Sequence, residues 1–224
     1  NRKALDYYLQ YIEYNPKDTD TLLHIGLIYE SGLGVPLNID LARRYYERAA
    51  EQDETGMAYN FLGGTYMNDE ETESNERKAV HYFQKAIELG NTNAMFRISY
   101  YLHNGKGGLQ VDIPREIELL TEASKRGNHQ ATYRLGLLFE DNESGMAQNL
   151  ELSVKYFQLA ADNGILAAIN KMGELYLFGE VIPANLTKAI SCFTAASEQG
   201  YGKASYWLGR LHTDGIGQLE KDTQ

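Results

Sequence analysis

Residues 131–139 read Ala131-Thr132-Tyr133-Arg134-Leu135-Gly136-Leu137-Leu138-Phe139, and the architecture builds outward from the centre of that stretch. Its core mark, Leu135-Gly136, is a large apolar residue followed by a tiny one. The mark returns as Ile25-Gly26, Leu62-Gly63, Ile98-Ser99, Met172-Gly173 and Leu208-Gly209. Steps between the small members are 37, 36, 37, 37 and 36 residues. A fixed period of this size means stacked supersecondary units, none able to bury its apolar face alone. It points to an elongated binding scaffold and away from a catalytic pocket.

Four residues before the mark's apolar member stands a small residue: Thr21, Ala58, Ala94, Ala131, Ala168 and Ala204. Four residues after it comes a ring or its substitute: Tyr29, Tyr66, Leu102, Phe139, Tyr176 and His212. Spacing of i, i+4, i+8 puts all three on one face of a helix, helix A. About twenty residues on, a second column reads Ala49, Ala86, Ala123, Ala160 and Ala196. Three residues earlier stand Tyr46, Phe83, Leu120, Phe157 and Phe193, and next to them Tyr45, Tyr82, Leu119, Tyr156 and Cys192. That is a helix B. Its stop is Gly90, Gly127, Gly164 or Gly200, suited to a left-handed cap, with Asp53 in that place once. Residues 3–15 form one more helix B, ended by Asn15-Pro16.

The turns from A to B are often glycine-rich, as in Gly32-Leu33-Gly34-Val35, Gly105-Lys106-Gly107 and Gly215-Ile216-Gly217. Phosphate-binding loops need a preceding strand, and these follow helices, so they read as hairpin turns.

The pattern A-x-x-x-L-G-x-x-Y, a glycine turn, then A-x-x-Y-Y/F-x-x-A-A ending in glycine resembles the Sel1-like repeat family, a relative of the tetratricopeptide repeat. One unit carries it as Thr21-Leu22-Leu23-His24-Ile25-Gly26-Leu27-Ile28-Tyr29, then Gly32-Leu33-Gly34, then Ala42, Tyr45, Tyr46, Ala49 and Ala50. Two departures stand out: Asn68 to Glu76 replaces the glycine turn in one unit, and Ser99 replaces the glycine of the mark in another. The resemblance implies an all-α, right-handed superhelical α-solenoid of antiparallel helix pairs. The expected division is a single array over 1–224. It has partial units at 1–18 and 201–224 and full units at 19–53, 54–90, 91–127, 128–164 and 165–200. Relatives of this kind act as scaffolds in endoplasmic-reticulum quality control, in control of cell-wall synthesis and at bacterial envelopes.

The formal net charge of −10 disfavours nucleic acid and anionic membranes as partners. A single cysteine, Cys192, excludes an intrachain disulfide framework, and its column makes it a packing residue. No apolar run approaches the ~20 residues needed to span a bilayer. The chain starts inside a unit and without methionine, which reads as a segment of a longer protein. Bacterial envelope, endoplasmic-reticulum lumen and cytoplasm all stay open. So does glycosylation of the sequons Asn142-Glu143-Ser144 and Asn185-Leu186-Thr187.

No chemistry-bearing constellation emerges. His24, His81, His103, His129 and His212 lack metal-ligand spacing, no GxSxG occurs, and the acidic Asp69–Glu76 stretch lacks the order of a calcium loop. We therefore expect no catalysis, no cofactor and no metal.

Helices A of such arrays line an inner surface, roughly 10 Å apart. One residue before the mark the column reads His24, Phe61, Arg97, Arg134, Lys171 and Trp207. Two before it stand Leu23, Asn60, Phe96, Tyr133, Asn170 and Tyr206; two after it Leu27, Gly64, Tyr100, Leu137, Glu174 and Arg210. Arg97, Arg134 and Lys171 form a basic stripe edged by Phe96, Tyr100, Tyr133, Tyr206 and Trp207, with Arg210 beyond. A partner protein or peptide, acidic in character, fits such a stripe, and Asn60 and Asn170 would bond its backbone. The competing reading has the cations paired to neighbouring acids and the rings sealing A against B. Two rival functions remain: glycan or cell-wall-fragment binding on Tyr133, Tyr206 and Trp207, and weak self-association through open solenoid ends.

Overall fold

A computed structural model describes residues 2–141 and 147–213. Twelve α-helices follow one another among them. A lone α1 (Arg2–Tyr14) comes first. Five pairs follow: α2 (Thr19–Ser31) with α3 (Ile39–Ala50), α4 (Met57–Met67) with α5 (Glu73–Glu88), α6 (Thr92–Asn104) with α7 (Ile113–Lys125), α8 (His129–Glu140) with α9 (Leu150–Asp162), and α10 (Leu166–Phe178) with α11 (Leu186–Glu198). Last comes α12 (Gly202–Thr213). Even-numbered helices are the A helices and odd-numbered ones the B helices. The all-α, pairwise repeat architecture expected from the period is what forms. The chain divides into two compact units, Asn1–Ala123 and Ser124–Gln224. The sequon at Asn142 and the turn Gly215-Ile216-Gly217 lie outside the described residues.

Short polar side chains start the helices. Asp18, Asn38, Thr72, Asn91, Asp112, Asn128, Asn149 and Asn185 each accept a hydrogen bond from the backbone N–H three residues on, at 2.9–3.2 Å. Each such cap contributes about 1 kcal/mol. B helices end in the wrapped turn that only glycine enters freely. Gly90, Gly164 and Gly200 adopt φ of 78°, 80° and 85°. The next N–H then returns to the carbonyl five residues back: Asn91 to Ala86, Ile165 to Ala160, Tyr201 to Ala196, at 2.9–3.1 Å. Where Asp53 replaces this glycine, its buried carboxylate caps the following helix instead, accepting from Ala58 N at 2.7 Å.

The periodic mark has a steric cause. A Cβ placed on Gly63, Gly136 or Gly173 would fall 2.6 Å from the ring of Phe83, Phe157 or Phe193, and one on Gly26 would overlap Tyr46. Those four rings are fully buried. Helix A therefore surrenders a side chain so that the ring of its own helix B can lie against its backbone. Where Ser99 stands in the mark, helix B offers the slimmer Leu120, so the larger mark meets a smaller side chain. A second layer of contacts stacks the ring four residues after the mark on the ring preceding the buried one. Tyr29–Tyr45, Tyr66–Tyr82 and Phe139–Tyr156 lie 5.6–5.9 Å apart with planes within 9° of parallel.

The acidic turn that replaces glycine after α4 is held by an arginine from the preceding helix B. Arg43 donates to Asp69 Oδ2 at 2.7 Å and to Thr65 O at 3.2 Å, while its guanidinium lies 3.9 Å from the Tyr66 ring centroid. The Arg43 hydrogen bond holds the Asp69 carboxyl below its ordinary pKa.

Candidate functional site

The column one residue before the mark reaches back to the preceding helix B. His24 stacks on Tyr8 at 5.5 Å and Phe61 on Tyr46 at 5.2 Å. Arg97 lies 6.0 Å from the Phe83 centroid, Lys171 5.7 Å from that of Phe157, and Trp207 6.0 Å from that of Phe193. Cations and rings share one job, covering a ring of the preceding helix B. A long apolar stem with a wet tip serves as well as a ring for this purpose.

What the tips do then differs. In the second unit, Lys171 Nζ lies 2.8 Å from Glu140 Oε1 and 3.9 Å from Glu174 Oε2. Glu174 Oε1 accepts both Trp207 Nε1–H and Asn170 Nδ2–H, each at 2.9 Å. Tyr133 packs against Phe157 at 5.6 Å, and burial, with Tyr201 and the nearby Glu174 and Glu140 adding to it, pushes its phenol pKa up to about 12. Lys171, Trp207 and Asn170 are thus tied into a polar knot between successive helices A. Arg134 is half-buried next to Tyr133, while Tyr206 and Arg210 are exposed on α12, 3.3 Å apart from hydroxyl to guanidinium.

In the first unit the tip of Arg97 meets no carboxylate within ion-pair reach among the described residues. It passes over Gly64, its Nη1 3.5 Å from where a Cβ would be. Phe96 beside it is half-buried, and Tyr100, one turn on, is 40% exposed, with Lys106 Nζ 5.5 Å from its centroid. Asn60 and Asn170 sit in the same column, 6% and 3% exposed. Their side-chain oxygens are sealed from solvent and accept no hydrogen bond among the described residues. That places both amides inside the seam between helices rather than on its surface.

The eleven candidate residues therefore separate. Arg97, Tyr100 and Phe96 share one face in the first unit, Tyr206 and Arg210 are exposed in the second, Arg134 is half-buried, and Tyr133, Lys171, Trp207, Asn60 and Asn170 are taken up by the fold. The sequence columns omit Glu140 and give Glu174 no role, because acids scattered over helices look alike until their cationic partner is placed. Cys192 is half-buried and burial raises its thiol pKa, in keeping with packing. No cluster of three or more potential metal ligands, and no helix long and apolar enough to cross a membrane, occurs among the described residues.

The Sel1 repeat model matches residues 20–54, 56–91, 92–128, 129–165, 166–201 and 202–224. The chain belongs to the Sel1 repeat family. It is similar to the Sel1-repeat-containing protein YjcO of Escherichia coli K12, at 33% identity over 78 residues, 34% of each chain. The matched region thus spans about a third of that relative's length. Among solved structures it resembles a Sel1 repeat protein from Oxalobacter formigenes, with a TM-score of 0.76 and 25% identity over 91% of this chain and 79% of that one. The fold also matches c5321, a protective antigen of uropathogenic Escherichia coli strains, with a TM-score of 0.65 and 20% identity over 95% of this chain and 52% of that one.

Proposed function

We propose that this Sel1 repeat array is a non-catalytic scaffold that holds a segment of a partner protein on the helix-A face of its first unit, around Phe96, Arg97 and Tyr100. The observation that carries the reading is Arg97. It is half-buried, has no acidic partner among the described residues of a chain of net charge −10, and lies beside an exposed tyrosine. A cation left unpaired in an acidic protein suits an acidic segment, whose carboxylate it can fork while Tyr100 covers apolar surface. The equivalent cation two units on, Lys171, is neutralised by Glu140 and supports a structural role instead. The glycan reading draws less support, since Phe193 stacks on Trp207 and its indole N–H is held by Glu174.

The test is quantitative affinity capture with the wild-type chain and with Arg97→Glu, after checking that circular dichroism and melting agree. Proteins retained by the wild type are expected to be lost from the reversal. An unchanged capture profile removes the face from consideration.

A further inference from the structure

The stacked ring pairs of the repeat are broken in two places. Leu102 faces Leu119 in one unit, and Tyr176 faces Cys192 in another. Beside each broken pair a cleft opens between successive B helices, about 420 Å³ in the first unit and about 640 Å³ in the second. The linings correspond 73 or 74 residues apart: Gln84 with Gln158, Ile98 with Met172, and Arg115 with Lys188. The cleft is thus a property of the repeat wherever a ring is missing. Its larger copy falls within the size range of ligand sites.

The two copies differ in charge. Arg115 is paired with Glu118. At the second cleft, neither Lys155 nor Lys188 has a carboxylate within ion-pair reach among the described residues. The one acid there, Asp162, is tied to Gln158 Nε2 at 2.7 Å. Lys188 Nζ sits 5.1 Å from the centroid of Tyr176, a ring with no stacking partner among the described residues. Leu159 is 47% exposed at the cleft, an apolar surface open to an incoming side chain.

We propose that this cleft is a second docking site, one that takes an aromatic side chain flanked by carboxylates from a partner protein. The ring completes the stack that Cys192 leaves unmade, and the flanking acids meet Lys155 and Lys188. The site is lined by residues of α9, α10 and the start of α11 in the second unit, shares no residue with the Arg97 face on α6, and stands whether or not that face binds.

The experiment is a fluorescence-anisotropy titration of the 224-residue chain into a fluorescein-labelled peptide Glu-Asp-Trp-Asp-Glu. Saturable binding is expected, with loss of at least about tenfold in affinity when tryptophan is replaced by alanine or the acids by lysine, as for removal of an anchoring ring or its charges. Cys192→Tyr supplies the missing ring from within. It should retain helical content and lose the peptide, while Arg97→Glu binds it normally. The exposed pair Lys155→Glu with Lys188→Glu gives the same answer without touching the interior. Absence of binding at about millimolar chain, or undiminished binding by Cys192→Tyr or the lysine pair, overturns the proposal.

Discussion

At the scale of single residues, the periodic glycine is an answer to a ring. Gly136 leaves 2.6 Å between a would-be Cβ and Phe157, less than any ordinary carbon contact. Gly136→Ala is therefore expected to destabilise the chain by about 1–3 kcal/mol, the range of overpacked cores, despite alanine's better helix propensity. Adding Phe157→Leu should recover part of that loss, because the unit holding Ser99 and Leu120 already uses a larger mark against a slimmer side chain. Equilibrium denaturation of the two single variants and the double variant measures the coupling. Strictly additive effects would show that glycine is present for some reason other than the ring.

At the scale of elements, turns unlike the family pattern are held by side chains from elsewhere. The link from α4 to α5 lacks the glycine turn, and Arg43 clamps it through Asp69 and Thr65. Because that bond lowers the Asp69 pKa, its stabilisation is complete above the unfolded value near about 3.9 and fades as pH falls through the lower folded value. Asp69→Asn should accordingly lower the melting temperature at neutral pH and lower it by less at about pH 2. A loss of equal size at both values would contradict the clamp. Much of this level was legible in the chain itself. Ala49, Ala86 and their column mates announced helix B, and Gly90 and its counterparts its end. Arg43 was not legible, since its partner lies 26 residues away in a loop that no period describes.

At the scale of the whole molecule, the sequence columns mark one face of the A helices but not how its residues are used. Arg97 and Lys171 occupy the same register, yet the first meets no acid among the described residues and the second is bound by Glu140. The difference rests on which carboxylates the neighbouring helix presents, and that follows from three-dimensional placement. Asn60 and Asn170 make the same point: their positions suited a peptide backbone, and packing closed over both oxygens. The central claim is that a partner sits against α6 at Arg97 and Tyr100. It is tested most directly by placing a photo-crosslinking amino acid at Tyr100 or, on the exposed side of α3, at Arg44, and mapping the captured partner's crosslinks by mass spectrometry. Crosslinks from position 100 and none from position 44 are expected. A partner joined at position 44 and never at 100 would contradict the account.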